Sequence, residues 1–264
     1  MLTNNITNNY IYYLCSVMED KNEIRPYEDR SGTKKEQVES MFDSIAKTYD
    51  PLNRFLSLGV DKRWRKKMLQ CLEPIKPKRI LDVATGTADV ACDAARHFPS
   101  ASITGLDLSA KMLSKGKDKV REKKLEGQVK LIKGDSEALP YSDNSFDAVT
   151  VAFGVRNFGN LNKGLQEMYR VVRPGGAVIV LEFSRPDQFP IKNLFNLYFK
   201  YVLPQIGRLT SKDPRAYQYL YESVQVFPQY EEFEASLKNA GFSKTEYKKL
   251  TFGICCVYTA YKTS

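Results

Sequence analysis

Short apolar runs alternate with helical patterns through the middle of the chain. The runs have the length of buried strands and lie at residues 79–84, 102–107, 129–132, 147–153 and 177–183. The stretches between them repeat apolar residues at helical spacing, as at 90–98, 109–126 and 161–172. Strands that alternate with helices predict βαβ units and a parallel sheet that is covered by helices on both faces.

Two more strands are predicted near the end of the chain. Residues 230–242 form a helical pattern that Gly241 closes, and residues 244–250 and 254–262 follow as strands with no helix between them. The pattern therefore predicts a Rossmann-like α/β fold with a seven-stranded, mostly parallel sheet and helices on both faces.

The residues ahead of the sheet divide into an extension and two helices. Residues 1–30 begin with an asparagine-rich stretch and continue as a polar one, so we predict a disordered extension, and Met18 is an alternative start of the chain. Apolar residues at helical spacing predict a first helix over 34–49, and Asp50 then serves as the N-cap of a second helix. Residues 31–264 are long enough for one α/β domain.

An insertion at about residues 185–228 separates the fifth strand from the last helix. It is rich in phenylalanine and tyrosine. One interpretation is a helical hairpin that packs on the sheet. The other is a hydrophobic lid over a bulky apolar substrate, because large insertions near active sites often serve as covers.

The net charge of +9 raises the question of an anionic partner. Much of the positive charge lies in two helical stretches, one at Lys62, Arg63, Arg65, Lys66 and Lys67 and the other from Lys111 to Lys124. Their spacing favours solvated helix faces, and a weak attraction to acidic phospholipid headgroups stays open.

Cysteine and histidine usage argues against metal sites and histidine-based catalysis. The five cysteines form no Cys-x-x-Cys pair, and the only histidine, His97, lies in a loop-like segment. We therefore predict reduced thiols, a cytoplasmic location and no metal site.

The turn after the first predicted strand is built from small residues. Asp82 is followed by Ala84, Gly86 and Ala88 at alternate positions, and the spacing of a dinucleotide fingerprint is absent. Small residues allow a ligand to approach the backbone closely. Asp107 ends the second strand, where a carboxylate accepts hydrogen bonds from two vicinal ribose hydroxyls. Its alternative role, capping the next helix, is already filled by Ser109.

These elements, in this order, resemble the Rossmann-like methyltransferases that use S-adenosylmethionine. A polar pair, Asp135 and Ser136, follows the third strand where that resemblance places the edge of adenine. The resemblance implies that S-adenosylmethionine is the methyl donor. Its implied contacts are Gly86, Thr87, Asp107, Asp135 and Ser136.

A narrower resemblance covers nearly the whole chain from Gln37 to Tyr261. Residues 49–64 and 170–184 resemble the two signature stretches of the ubiquinone/menaquinone-biosynthesis C-methyltransferase family. The family implies methylation of a ring carbon of a prenylated hydroquinone. The form of residues 59–66 favours demethylmenaquinol, and the benzoquinol of ubiquinone synthesis is the alternative. Four positions depart from the common pattern of the family: Leu52, Asp61, Ala88, whose methyl group is expected near the cofactor, and Ala152.

Three candidate catalytic residues follow from the family match and from the expected sheet edge. Arg156, after the fourth strand, would favour the ionised form of a phenolic oxygen, because a positive charge lowers the pKa of a phenol. Asn157 would orient the ring, and Tyr49 would hydrogen-bond a quinol oxygen. The alternative for Arg156 is a structural salt bridge, and the alternative for Tyr49 is a packing role.

Two rival functions come from other classes. The basic charge suggests an RNA methyltransferase, but no Pro-Pro-aromatic or Pro-Cys motif of such enzymes is present, so we expect no nucleic-acid partner. The other rival is a non-catalytic scaffold in a quinone-biosynthesis complex. A peripheral contact with the membrane surface and a homodimer stay open.

Overall fold

The computed structural model describes residues 24–202, 205, 213 and 215–263. The alternative start at Met18, the Cys15 thiol and part of the predicted insertion lie outside these residues. So does most of the predicted N-terminal extension. Its described part includes Tyr27, whose buried side chain donates a hydrogen bond to Asp213.

A seven-stranded sheet forms the centre of the molecule, in the order β3-β2-β1-β4-β5-β7-β6. The first five strands pair in parallel, and β7 is antiparallel to both β5 and β6. The strands are β1 Arg79–Val83, β2 Ser102–Asp107, β3 Val129–Lys133, β4 Phe146–Ala152, β5 Val172–Phe183, β6 Lys244–Leu250 and β7 Cys255–Tyr261. This architecture confirms the predicted Rossmann-like fold.

Helices precede the sheet, connect its strands and fill the insertion. In the described part of the chain they are α1 Lys34–Ile45, α2 Tyr49–Leu56, α3 Asp61–Gln70, α4 Asp89–His97, α5 Ala110–Glu122, α6 Leu161–Val171, α7 Ile191–Leu197, α8 Arg215–Val226 and α9 Glu231–Asn239. A π-helical turn, Tyr198–Val202, continues α7. The predicted cap of α5 is confirmed, because the Ser109 hydroxyl accepts a hydrogen bond from the Met112 amide.

Each face of the sheet packs against its own set of helices. Successive side chains of a strand point to opposite faces. In β5, Val178 and Val180 pack with α6 and α9, whereas Ile179 and Leu181 pack with α3 and α4. Burial on both faces explains why β5 is almost continuously apolar.

A third apolar cluster joins the N-terminal helices to the insertion. Met41 and Ile45 of α1 pack in it with Phe195, Phe199 and Tyr219 from the insertion. The described part of the insertion is therefore helical and packed, as the first interpretation expected. No helix in the described ranges is long and apolar enough to cross a membrane.

The fold predicts a sharp difference between two glycine substitutions. A Cβ on Gly176 would lie 2.5 Å from the backbone oxygen of Asp147, and strand backbone cannot move away easily. We expect Gly176→Ala to lower the free energy of unfolding by about 2 kcal/mol, as overpacking does. Urea denaturation measures this. Gly127→Ala is the control, since no described atom lies within 4 Å of its added Cβ, and equal losses in both variants would contradict the packing argument.

Candidate active site

The turn after β1 adopts left-handed backbone conformations at alternate residues. The φ angles of Ala84, Gly86 and Ala88 are 52°, 55° and 63°. Residues with a Cβ atom disfavour this region, and the penalty grows with the size and branching of the side chain. The alternating small residues of the sequence are therefore a requirement of the backbone.

Gly86 and Ala88 point to different surroundings. A Cβ on Gly86 would meet no described atom within 4 Å, because Gly86 faces open cavities. Ala88 is fully buried, and its methyl group faces Gly116 of α5. The methyl group of Ala88, expected from the sequence near the cofactor, therefore lines neither cavity.

Asp107 connects the end of β2 to this turn. Its carboxylate accepts hydrogen bonds from the backbone amides of Gly86 and Ser109, each at 2.8 Å. A carboxylate has about four lone-pair positions, so about two stay available for the hydroxyl groups of a ligand. Burial raises the pKa of Asp107, while the two amide hydrogen bonds act to lower it.

Two adjoining cavities open at the carboxyl edge of the sheet. The smaller one is lined by Asp107, Ser109 and Ser136, among others. The larger one has a volume of about 500 Å³, and its wall includes Met41, Trp64, Phe183, Phe195 and Phe199. Gly86, Ala152 and Asn157 line both cavities, so a ligand in one meets a ligand in the other at these residues.

Polar atoms without partners lie at the wall of the larger cavity. The buried atoms Arg156 Nε and Asn157 Oδ1 have no hydrogen-bond partner among the described residues. Nε is a donor and Oδ1 is an acceptor. Buried polar groups are rarely left unsatisfied in proteins, so a donor and an acceptor remain available for a polar partner at these two residues.

Arg156 forms a buried ion pair with Glu182. Its Nη1 lies 2.6 Å from Glu182 Oε1, and Glu182 is fully buried in β5. The salt bridge considered as the alternative for Arg156 is therefore present. Burial raises the pKa of Glu182, and the positive charge of Arg156 acts to lower it. The sequence carried a signal for this pair, because a glutamate inside an apolar strand needs a partner.

Tyr49, at the start of α2, faces both cavities. Burial raises the pKa of its phenol to about 12, although the nearby Arg156 charge acts to lower it. The phenol therefore stays protonated at neutral pH and can donate a hydrogen bond. The Asn53 side chain, at the wall of the larger cavity, hydrogen-bonds the Tyr49 phenol.

The two members of the predicted adenine-binding pair are placed differently. Ser136 is buried and lines the smaller cavity. Asp135 does not line it, because its carboxylate is held by Lys35 of α1 at 2.7 Å. The next residue, Glu137, also belongs to this site, and the sequence analysis did not identify it as a candidate contact. Its carboxylate lines the smaller cavity and accepts hydrogen bonds from the Gly159 and Asn160 amides.

A chain of ionic contacts links α2 to the small-residue turn. Asp50 accepts a hydrogen bond from the Thr87 hydroxyl at 2.5 Å and pairs with Lys119 at 2.6 Å. Lys119 also pairs with Asp89 at 2.5 Å. The prediction of Asp50 as an N-cap is wrong, since α2 begins at Tyr49 and the carboxylate serves this contact instead.

Two of the basic residues assigned to solvated faces are ion-paired instead, Arg65 in a buried position and Lys119 in a partly buried one. Arg65 pairs with Asp61 at 2.5 Å and with Asp93 at 2.7 Å, and Lys119 takes part in the contacts described above. Periodicity alone did not identify them because, apart from Asp61 on the same helix as Arg65, their acidic partners lie on other helices. Lys62, Arg63, Lys66 and Lys67 are exposed, as expected.

A family model and curated relatives match this chain over most of its length. The model, described as the ubiE/COQ5 methyltransferase family, matches residues 30–262. A demethylmenaquinone methyltransferase of Bacteroides fragilis is 46% identical over 90% of this chain and 97% of its own length. A ubiquinone/menaquinone biosynthesis C-methyltransferase of Geotalea daltonii is also 46% identical, over 87% of this chain and 97% of its own.

Solved structures share the fold at low sequence identity. A SAM-dependent methyltransferase of Thermotoga maritima superposes with a TM-score of 0.60 at 19% identity, over 84% of this chain and 100% of its own. A phosphoethanolamine N-methyltransferase of Haemonchus contortus, solved with S-adenosylhomocysteine, has a TM-score of 0.62 at 17% identity, over 85% of this chain and 60% of its own.

The environment of Asp82 predicts a pH dependence of stability. Burial raises the pKa of Asp82 to about 7, although hydrogen bonds from Thr85 and Thr150 act to lower it. An unfolded aspartate has a pKa of about 3.9. Between these values the folded chain holds a proton that the unfolded chain has lost. The contribution of Asp82 to stability therefore decreases as pH rises, by at most about 1.4 kcal/mol per pH unit.

Asp82→Asn should remove this contribution, because asparagine cannot ionise and the two threonine hydroxyls can still bond it. Urea denaturation at about pH 5 and about pH 8 compares the variant with the unchanged protein. We expect the stability difference, variant minus unchanged protein, to increase with pH. The exposed Asp118→Asn is the control. Parallel curves for Asp82→Asn would show that Asp82 is ionised throughout.

Proposed function

The chain belongs to the ubiE/COQ5 methyltransferase family, and from that premise we propose that it methylates a ring carbon of a prenylated hydroquinone, with S-adenosylmethionine as methyl donor. Demethylmenaquinol is the proposed acceptor, because relatives at 45–46% identity are named demethylmenaquinone methyltransferases. The benzoquinol of ubiquinone synthesis is the second candidate, since other relatives carry both pathways in their names.

The residues around the smaller cavity fit S-adenosylmethionine, whose sulfonium supplies an electrophilic methyl group. Open space at Gly86 lets a ligand approach the backbone. The free lone pairs of Asp107 are suited to two ribose hydroxyls, and Ser136 and Glu137 offer polar contacts further along the same wall. Thr87 lies outside this cavity and holds Asp50, so its proposed role is to position the turn.

One observation supports the acceptor assignment above all. Arg156 and Asn157 line a cavity whose wall is otherwise largely apolar, and each carries a buried polar atom, the donor Nε and the acceptor Oδ1, without a partner among the described residues. A hydroquinone with an isoprenoid tail has the matching properties. Its hydroxyl groups donate and accept hydrogen bonds, and its tail requires an apolar wall.

Arg156 acts in this proposal as an oriented donor, because Glu182 balances its charge. The ion pair holds the guanidinium through Nη1, and Nε has no hydrogen-bond partner among the described residues. Methylation replaces a ring hydrogen, so one proton leaves the acceptor in each turnover. Hydrogen bonds from Arg156 and from the neutral Tyr49 to a quinol oxygen stabilise negative charge that develops there.

The tail of the acceptor is proposed to lie among the aromatic side chains of the insertion. Phe195, Phe199 and Tyr219 line the larger cavity, and the described part of residues 185–228 thereby acts as its cover. Contact with a membrane surface belongs to the same proposal, because a prenylated quinol is a membrane lipid.

Binding of the methyl donor can be tested without turnover. Gly86→Ala places a methyl group in both cavities and forces alanine into a left-handed conformation, so we expect calorimetry to show at least about tenfold weaker binding of S-adenosylmethionine. Gly59→Ala is the matched control. Gly59 has a φ of 74° and equally open surroundings among described residues, but lines neither cavity. Equal affinity in both variants would contradict the proposed position of the donor.

The Arg156–Glu182 pair allows catalysis to be separated from stability. Arg156→Leu leaves a buried carboxylate without its partner, which costs about 3–5 kcal/mol of stability. The double variant Arg156→Leu, Glu182→Gln removes both charges and should recover most of that loss. We expect its turnover of a short-tailed demethylmenaquinol to stay about a hundredfold low, with affinity for S-adenosylmethionine nearly unchanged. Normal turnover in the double variant would remove Arg156 from the mechanism.

A further inference from the structure

Apolar side chains are exposed where the larger cavity opens to solvent. Leu58, between α2 and α3, and Leu194, on α7, both line this cavity, yet they are 87% and 57% exposed. A side chain that lines a cavity and is also mostly exposed lies at its opening. The opening therefore has an apolar rim.

The helical segment from Ile191 to Tyr201 has apolar side chains on two of its sides. Phe195 and Phe199 are buried in the cluster that forms the cavity wall. Leu197 and Tyr201 are 55% and 57% exposed, and with Leu194 they form an outward apolar side. One apolar side is sufficient to pack a helix on its own protein, so the second side requires another explanation.

Exposed positive charges lie close in the chain to the same apolar residues. Lys62 and Arg63 follow Leu58 in the first turn of α3, and Lys192 and Lys200 stand before and after Leu194 and Leu197 along the insertion helix. All of them are exposed, and none forms an ion pair with a described residue. The less exposed cations Arg65 and Lys119, in contrast, are both paired with carboxylates.

We propose that this surface docks on a bilayer containing anionic phospholipids. The docking surface consists of the apolar residues Leu58, Leu194, Leu197 and Tyr201 and the cations Lys62, Arg63, Lys192 and Lys200. Exposed apolar side chains flanked by lysine and arginine are the pattern of interfacial helices, which insert the apolar side and leave the cations at the headgroups. Each cation near an anionic surface strengthens binding about fivefold.

Charge also argues against a second copy of this chain as the occupant. In a symmetric dimer the same patch meets itself, so the cations would face like charges across the interface. An anionic bilayer neutralises them instead. The purpose of docking rests on the proposed lipid substrate, since an opening held against a bilayer lets a prenyl tail enter the cavity without crossing water.

Sedimentation with lipid vesicles tests the docking surface and does not use turnover. The full chain is mixed with vesicles of phosphatidylcholine alone or with about 30% phosphatidylglycerol. We expect binding to the mixed vesicles and little to the neutral ones. Changing Lys62, Arg63, Lys192 and Lys200 together to glutamine should weaken binding at least about tenfold, and Leu197→Gln should weaken it as well.

The matched control removes the same number of positive charges elsewhere. Lys111, Lys115, Lys117 and Lys130 are exposed on α5 and β3 and line neither cavity. Glutamine at all of them should leave vesicle binding within about threefold. Equal losses in both charge variants, or absence of binding by the unchanged chain, would overturn the proposal. A dimer in light scattering that Leu197→Gln dissociates would assign the surface to a second copy.

Turnover of a short-tailed, water-soluble quinol separates the two proposals. None of the substituted residues lines the larger cavity, so both charge variants and Leu197→Gln should keep the turnover of the unchanged chain. Loss of turnover in Leu197→Gln would indicate a defect of the cavity wall and overturn a separate docking role. If the unchanged chain methylates no quinol, the proposed function fails while the vesicle measurements still decide the docking surface.

Discussion

The hydrogen bond from the Gly86 amide to the Asp107 carboxylate holds the site together. It joins the ends of β1 and β2, which are paired strands, at the point where the left-handed turn begins the path into α4. Both cavities meet at Gly86. Because the turn can form only with small residues and the carboxylate must stay unprotonated to accept both amides, the cofactor side of the site depends on this one contact.

The ionic contacts of α2 connect the small-residue turn to the larger cavity, where the acceptor is proposed to bind. Asp50 connects the helix that carries Tyr49 to Thr87 and Lys119. A displacement of α2 would therefore disturb the turn proposed to hold the methyl donor as well as Tyr49, the residue proposed to contact the acceptor. These contacts fix the position of α2 relative to the turn, and thus the positions proposed for donor and acceptor relative to each other. Correct alignment of two reactants lowers a reaction barrier by about 7–11 kcal/mol in favourable cases.

The sequence predicted the strands of the sheet and the small-residue turn well, but it did not predict which charged side chains form ion pairs. The strands and Ser109 follow from local periodicity and capping, which neighbouring residues determine. The roles of Arg65, Lys119 and Glu182 depend on partners from other elements, which periodicity does not report. Asp135 shows the same limit, because its position after β3 suggested a ligand contact, whereas Lys35, far away in the chain, holds its carboxylate. The direction of the Ala88 methyl group was likewise decided by the packing of α5.

The distribution of these charges accounts for a strongly basic protein with an apolar cavity. A cation inside the molecule would oppose binding of an apolar tail unless a carboxylate compensated it, and Arg65, Lys119 and Arg156 are each compensated. The excess of positive charge, +9 for the whole chain, must then be carried largely by exposed residues. Those beside Leu58 and on the insertion helix lie next to exposed apolar side chains. Because the inner positive charges are paired with carboxylates and the remaining ones are exposed, the chain combines an apolar cavity with a surface that attracts anions.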